Sequence, residues 1–467
     1  MATSQALAQV LTAQQMRFAE QRLFDAGMAE FDLMKLAAGR AAEWVRRLAA
    51  RRAVTVLCGP GNNGGDGYVI ANCLQKAGLA VTVVAPEPPK TPSAEQALTQ
   101  WGRGVVTSGG NVSGEVLVDC LFGSGLSRAL SGEHALLLRD LAERHMLAIA
   151  LDVPSGVASD SGALLNERLP SFDVTLGLGA WKFAHFALPG RAKMGVQRLV
   201  PIGIDAVEGA AEVLAKPCLT APPVDAHKYT RGLGVIVGGA MPGAVQLAAE
   251  AALRAGAGYI KLAAQAELLG ASPCLVQDSR TLAEVLSDKR INAVLIGPGL
   301  GRDDAARERL TQAVAANKPL LLDADALHLL RADQMGEDTI ALATPHDGEL
   351  EALCRNFAVV APTRRDRALA LARTAKMVVL AKGPDTVIAA PDGRLTLSPP
   401  APSWLSIAGS GDVLAGIALS RMANGADPFE AACEAVWLHG EAARSCGPVC
   451  TAQDLAAAVS QAVAACL

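Results

Sequence analysis

Apolar residues recur at helical spacing from Met16 to Leu48, and Thr12 stands where an N-cap belongs, so a helix is predicted over 12–50. From there short apolar runs alternate with helical stretches. Strands are predicted at 53–58, 80–85, 116–122, 147–153 and 174–178, with a further strand within 196–202. Several carry apolar residues on both faces, as strands of a parallel sheet covered by helices do. The stretch Lys216-Pro217-Cys218-Leu219-Thr220-Ala221-Pro222-Pro223 breaks the pattern and reads as a stiff extended connector. Past it the alternation resumes, with strands at 234–238, 259–263, 293–297, 319–323, 340–344, 377–382, 385–390 and 394–398. Helices at 243–255, 305–316, 363–375 and 412–423 separate many of them. The expectation is an α/β protein of two domains, 1–213 and 227–467, joined by a proline-rich linker at 214–226. The halves share no motif order, which reads as fusion rather than duplication.

Composition narrows the class. A chain of 467 residues exceeds one ordinary core, and half of it is apolar with 19% charged residues, as in a well-packed soluble protein. A net charge of −4 and a pI near 6.0 argue against nucleic acid or an anionic membrane as partner. The ten cysteines include no CxxC pair, so a zinc site is not expected, and their apolar surroundings suit reduced thiols of a cytoplasmic protein. The first residues show no signal-peptide pattern, and no apolar run approaches a membrane span. A homo-oligomer is expected, since α/β domains of this kind often assemble.

Two Gly-rich turns carry the chemistry. The first, Gly59-Pro60-Gly61-Asn62-Asn63-Gly64-Gly65-Asp66-Gly67, follows the strand at 53–58. It formally matches the dinucleotide fingerprint, with Glu87 near the end of the next strand, and taken alone is equally a packing turn. Its side-chain oxygens suit a hard cation beside a polar ligand edge. Asp119…Gly123-Ser124-Gly125 and Asp152-Val153-Pro154-Ser155-Gly156 end two more strands, and ligands gather at such ends. The second turn, Gly409-Ser410-Gly411-Asp412, opens an apolar helix; its backbone N–H groups can line an anion hole, and Asp412 can take a proton from an attacking hydroxyl. No Walker A loop occurs. The plain alternatives are that Asp152 and Asp412 cap helices and that Lys182 is a surface amine.

The first group of motifs, with Phe122 and Leu126 flanking the middle one, resembles the NAD(P)H-hydrate epimerase family over about 12–213. The resemblance implies a Rossmann-like three-layer αβα sandwich that interconverts the R and S forms of NAD(P)H hydrated at C6. It further implies that Asn62, Asn63, Gly64, Gly65 and Asp66, with Gly123, Ser124, Gly125, Leu126, Ser127, Arg128 and Ala129, bind the hydrate. Asn63, Asp119 and Ser155 would hold K+; Asp152 would contact the reacting ring as acid/base, helped by Lys182.

In the second half, seven motifs keep order and spacing. They include His227-Lys228, Gly238-Gly239…Met241-x-Gly243-Ala244, Gly297-Pro298-Gly299-Leu300-Gly301, Asp323-Ala324-Asp325, Thr344-Pro345-His346-x-Gly348-Glu349 and Lys382-Gly383-x-x-Thr386, besides the turn at Asp412. They resemble the ADP-dependent NAD(P)H-hydrate dehydratase family, of ribokinase-like αβα fold, over about 225–467. The implied reaction phosphorylates the C6 hydroxyl of the S hydrate and eliminates phosphate, with ADP as co-substrate and Mg2+ on the phosphates. The resemblance places Lys382, Gly383, Pro384, Asp385 and Thr386, with Gly409, Ser410 and Gly411, at the adenine nucleotide. Ala244, Gly299, His346 and Asp412 would contact the hydrate, with Asp412 catalytic.

Three departures stand out: Tyr229 replaces the family's Gly after His-Lys, 402–408 replaces its usual run before the anion hole, and Glu20 stands where Asp is common. Two other readings are kept open. A ribokinase-like kinase would release a stable phosphate ester instead of inorganic phosphate. A first domain that only binds would keep its epimerisation rate when Asp152 is replaced.

Overall fold

The computed structural model describes residues 4–110, 112–264, 268, 270, 272–336 and 339–467. The chain divides into two compact units, Met1–Glu212 and Val213–Leu467. The proline-rich segment expected as a linker belongs with the second unit. Leu219 is buried in that unit's core, and its N–H donates to the Cys466 carbonyl (2.9 Å).

The first unit contains β1 (Gln9–Leu11), β2 (Val54–Cys58), β3 (Val81–Val84), β4 (Val116–Cys120), β5 (Leu147–Leu151), β6 (Val174–Leu178), β7 (Trp181–Lys182), β8 (Val196–Val200) and all but the last residue of β9 (Ala211–Val213). Six of them form a parallel sheet in the order β3-β2-β4-β5-β6-β8. The central strands β2 and β4 are buried along their whole length, as their two-sided apolar pattern requires. Strand order reverses between β2 and β4, which opens a crevice at their carboxyl ends. The helix expected over 12–50 is two helices, Ala13–Asp25 and Glu30–Ala49, broken at Gly27 with φ +97°. Thr12 caps the first in a reciprocal capping box with Gln15.

The short strands β1, β7 and β9 were not legible in the sequence. β1 runs parallel to β7, with Leu11 opposite Lys182, and antiparallel to β9. Two- and three-residue strands have too few positions to show a period.

The second unit contains β10 (Leu233–Val237), β11 (Tyr259–Ala263), β12 (Val276–Asp278), β13 (Ile291–Ile296), β14 (Leu320–Leu322), β15 (Ala341–Ala343), β16 (Val378–Ala381), β17 (Val387–Ala389) and β18 (Leu395–Leu397). The order is β12-β11-β10-β13-β14-β15-β16-β17-β18, parallel up to β16 and antiparallel beyond it. The reversal here lies between β10 and β13. The helix Ser410–Ala423 is buried on nearly every side, and Pro242–Arg254, Pro428–Cys446 and Ala452–Ala464 contribute to the same core.

Among the described residues no helix is long and apolar enough to cross a membrane. The ten cysteines are unpaired thiols; Cys58, Cys120, Cys354 and Cys466 are buried.

Gly416 shows why the central helix is built from small residues. A Cβ there would lie 2.1 Å from the Ala248 carbonyl oxygen of the neighbouring helix. Helix propensity alone would make Gly416→Ala stabilising by about 1 kcal/mol. The backbone contact has no soft side chain to yield, so overpacking of about 1–3 kcal/mol wins. Gly416→Ala is expected to lower the denaturation midpoint of the second unit; an unchanged or raised midpoint would show that the helices separate freely.

Candidate active sites

A cavity of about 510 Å³ opens at the carboxyl ends of the first unit's strands. Asn62, Asn63, Asp66, Gly123, Ser124, Gly125, Leu126, Ser127, Arg128, Asp152 and Lys182 line it, as expected from the sequence. Gly64 and Gly65 are buried inside the helix Asn62–Lys76 and do not line it; Ala129 lies exposed just beyond the lining. The helix Ala13–Asp25 adds Ala13, Met16, Arg17 and Glu20, spaced to fall on one face.

Asp152 follows β5 in the left-handed region (φ +64°), a conformation a non-glycine residue holds only when its surroundings fix it. They do. The Asp152 N–H donates to the Leu176 carbonyl (2.8 Å), and the Leu178 and Ser124 amides donate to the two carboxylate oxygens (3.2 and 3.1 Å). Lys182 Nζ donates to Oδ1 and to the Leu178 carbonyl (2.6 Å for the latter). Burial would raise the Asp152 pKa, but the Lys182 charge and these hydrogen bonds outweigh it and hold the group below the ordinary range. His185 braces the pair: the Lys182 amide donates to Nδ1 (2.9 Å), and Nε2 donates to the Asp152 carbonyl (2.9 Å). Burial, helped by Lys182, pushes His185 down to about 4, which keeps it neutral for this task.

Asp119 and Ser155 lie together beneath the cavity. Ser155 donates to Asp119 through Oγ (2.7 Å) and N–H (3.0 Å), and the Leu121 amide adds a third bond (3.0 Å). Asp119 is fully buried, and its pKa is pushed up to about 6 by burial against the opposing hydrogen bonds. Asn63 approaches the same loop; a Cβ on Gly123 would lie 2.9 Å from its Oδ1, and its buried Nδ2 makes no hydrogen bond. Asn63 Oδ1, the Asp119 carboxylate and Ser155 Oγ make an all-oxygen donor set. In kind, this fits a hard monovalent cation.

In the second unit a cavity of about 340 Å³ is lined by His346, Lys382, Gly383, Pro384, Thr386, Ser410 and Gly411. Pro402, Ser403, Leu405 and Ser406, from the stretch that departs from the family pattern, close one side. The helix Ser410–Ala423 starts here; the Ser410 N–H makes a long bond to the Ile407 carbonyl (3.4 Å), and the N–H groups that follow in the first turn can meet an anion. Gly409 is its cap, and Asp385 pairs with Arg364 (2.9 Å); neither lines the cavity. Thr386 Oγ1 accepts from the Gly383 amide (3.1 Å) and donates to the Gly383 carbonyl (2.7 Å), closing the 383–386 turn. His439 Nε2 donates to the Ser410 carbonyl (3.0 Å); burial lowers its pKa to about 4, so it does this as a neutral ring.

Lys382 Nζ is 2.6 Å from Asp323 and 3.7 Å from Glu349. Burial would lower its pKa, but the two carboxylates outweigh that and hold it above its ordinary value. Asp412 is pushed up to about 6, first by burial and then by Asp323, with Lys382 opposing. His346 caps the helix Asp347–Asn356: Nδ1 accepts from the Gly348 amide (3.0 Å), which leaves Nε2 as its donor. Ala244, Gly299 and Asp412 do not line this cavity with His346. A separate cavity of about 740 Å³ opens where Gly239, Ala240, Pro242 and Val245 flank Ala244.

Residues 30–184 match the family described as YjeF-related protein N-terminus, and 233–463 match the family described as NAD(P)H-hydrate dehydratase. The Bifunctional NAD(P)H-hydrate repair enzyme Nnr of Escherichia coli (strain K12) is 33% identical over 448 residues, 89% of this chain and 85% of the relative. The enzyme of the same name from Salinibacter ruber is 32% identical over 501 residues, 94% and 92% of the two chains. The chain belongs to the bifunctional NAD(P)H-hydrate repair enzymes. A Bacillus subtilis ADP/ATP-dependent NAD(P)H-hydrate dehydratase co-crystallized with ATP/Mg2+ is 25% identical, spanning 54% of this chain and 95% of that one, at a TM-score of 0.46.

Against this repair family, several functional neighbours were missed from sequence. Asp323, whose motif carries no site role in the sequence, holds Lys382 at 2.6 Å. Glu349, likewise without a role in its motif, lies 3.7 Å from Lys382. His185 carried no signal beyond lying three residues after Lys182.

Lys182→Met would leave Asp152 buried without its cation. Breaking such a pair costs about 3–5 kcal/mol, and the Asp152 pKa should rise because burial then acts unopposed. We expect a lowered denaturation midpoint together with loss of epimerase turnover. Wild-type values of both would mean that Lys182 only fills space.

Proposed function

We propose that the first unit epimerises hydrated NAD(P)H at C6 and the second dehydrates the S form using ADP, releasing AMP and phosphate. The observation that carries this reading is the pairing, in one chain of this family, of the Asp152–Lys182 cavity with a helix start at Ser410–Asp412 beside Lys382.

In the first unit Asp152 is kept ionised by Lys182, so it can accept a proton at the C6 oxygen. Asn62, Asn63, Asp66 and the 123–129 loop would hold the dinucleotide. K+ is proposed at Asn63, Asp119 and Ser155; when bound, it offsets the charge of a buried carboxylate that makes no ion pair among the described residues.

In the second unit the C6 hydroxyl loses its proton to Asp412 as the β-phosphoryl group of ADP transfers to it. The N–H groups of Ser410 and Gly411 would stabilise that group's charge. Lys382 is set by Asp323 and Glu349 to meet the nucleotide phosphates. Mg2+ would be held chiefly by the substrate phosphates, with Glu349, beside Lys382, as the protein carboxylate that would meet it, which leaves Asp412 for the proton. Hydroxide leaves poorly and phosphate leaves well; the ring nitrogen's lone pair expels phosphate to form N1=C6, and loss of a proton from C5 then forms C5=C6 and restores NAD(P)H. Ala244, Gly299 and His346 would contact the hydrate. A cytoplasmic homo-oligomer belongs to the same proposal: unpaired thiols support the compartment, and light scattering tests the assembly.

A mixture of R and S hydrates with ADP and Mg2+ should return its full NADH absorbance, with AMP and phosphate formed in equal amounts. With Asp152→Asn the recovery should stop at the S fraction. With Asp412→Asn there should be none, while R and S still interconvert. A stable phosphate ester in place of free phosphate would identify a kinase instead.

Asp412 must be ionised to act as base. With a pKa near 6, dehydratase kcat should fall as pH drops through that value. A flat profile down to pH 5 would remove Asp412 from the rate-limiting proton transfer.

A further inference from the structure

We propose that Glu20 is the second proton-transfer group of the epimerase cavity, serving one face of the nicotinamide ring while Asp152, held by Lys182, serves the other. This rests on the epimerase reading of the first unit. Inverting C6 through a flat intermediate requires oxygen to leave one face and return to the other. One carboxylate fixed at one wall cannot handle protons on both faces.

The fold supplies a second carboxyl group from a different wall. Asp152 and Lys182 come from the ends of the strand layer, whereas Glu20 comes from the helix Ala13–Asp25. One strand pairing sets both. β1 lies parallel to β7 with Leu11 opposite Lys182, and Thr12 at once caps the helix that carries Glu20 along the cavity. The Ala13 amide donates to Asp160 Oδ1 (2.7 Å), which ties the helix start to the loop after β5.

Glu20 forms no hydrogen bond or ion pair within the described residues, although Lys182, Asp152 and Arg17 from inside the cavity and Glu30 from the next helix all act on its charge. Asp66 also lines the cavity. Lys182 is already bonded to Asp152 and the Leu178 carbonyl. Burial is the largest influence on Glu20 and, with Asp152 and Glu30, raises its pKa above the ordinary value against Lys182 and Arg17. The two carboxyl groups are thus shifted in opposite directions, Asp152 toward the ionised form and Glu20 toward the protonated one, the sense an acid and base pair requires.

The step balances as follows. The Glu20 carboxyl proton passes to the C6 hydroxyl, the C6–O bond breaks, and water departs as the N1 lone pair forms N1=C6. Water then adds to C6 from the opposite face, the new C6–O bond forms, and its surplus proton goes to Asp152. The enzyme ends with Glu20 ionised and Asp152 protonated. From that state it converts the other epimer by the reverse path, or returns by exchange with solvent.

The test follows R and S interconversion by chromatography, in the intact protein and in 18O-labelled water. Glu20→Gln should lower kcat by about 10²- to 10⁴-fold, with KM within about threefold of wild type. Glu20→Asp should recover a large part of the rate, and every inversion should carry one solvent oxygen into C6. The wild type should show a bell-shaped pH profile that loses one limb in Glu20→Gln. Full activity in Glu20→Gln, a change confined to KM, or inversion without label would each overturn the proposal. A wild-type protein that does not interconvert the epimers would instead overturn the epimerase reading itself. Equal loss in Glu20→Gln and Glu20→Asp with a lowered unfolding temperature would show that Glu20 only supports the helix.

Discussion

At the strand-order reversal of each sheet, the loops leaving two neighbouring parallel strands touch backbone to backbone. In the first unit a Cβ on Gly59, after β2, would lie 1.7 Å from the Leu121 carbonyl oxygen, after β4. In the second a Cβ on Gly239, after β10, would lie 2.3 Å from the Leu300 Cα, after β13. Such reversals ordinarily open a crevice between diverging loops. Here glycine lets the crevice floor close, so a ligand must sit above the strand ends, against the helix starts and loop side chains. Each cavity inherits its lining from that contact: the 61–66 and 121–128 segments in one unit, and the loop from Gly239 to Val245 in the other.

The buried charges at these strand ends are handled in different ways. Asp152 and Lys182 neutralise each other, and His185 holds their backbones without adding charge. Asp119 has only hydrogen-bond donors, and its pKa of about 6 records how incompletely they replace a cation. In the second unit Lys382 lies among Asp323, Glu349 and Asp412, one cation among three carboxyl groups. Burial first, and then that excess of acid, hold Asp412 near 6, close to where a general base transfers protons efficiently. Catalysis and stability oppose each other here, because the same crowding that tunes Asp412 is unfavourable for the folded state.

What the sequence made legible was the recurring motif at a strand end. Asn62, Asn63, Asp66, Gly123 to Arg128, Asp152 and Lys182 converge on one cavity because each motif follows a strand of one parallel sheet. The six main strands of the first unit were readable from short apolar runs, several of them two-sided. What stayed hidden depends on tertiary contact. β1 and β7 are too short to show a period. Gly64 carries the motif's spelling but faces Gly59 rather than a ligand. Glu20 is one of many polar residues on an amphipathic helix, and only the docking of β1 beside β7 shows which face it lies on. Asp323 became meaningful only when Lys382, 59 residues later, was found 2.6 Å away.

Fusing the two activities requires no passage between the sites. The dehydratase withdraws only the S form, so it holds that form below its equilibrium share. The epimerase is reversible and must then run from R to S at a rate set by that deficit. Both epimers are consumed through free solution as long as epimerisation keeps pace with phosphoryl transfer. One polypeptide fixes the ratio of the two catalysts at unity. The slower unit therefore sets the flux from a mixed pool, and a change that accelerates the second unit alone shortens only the time taken to exhaust the S form.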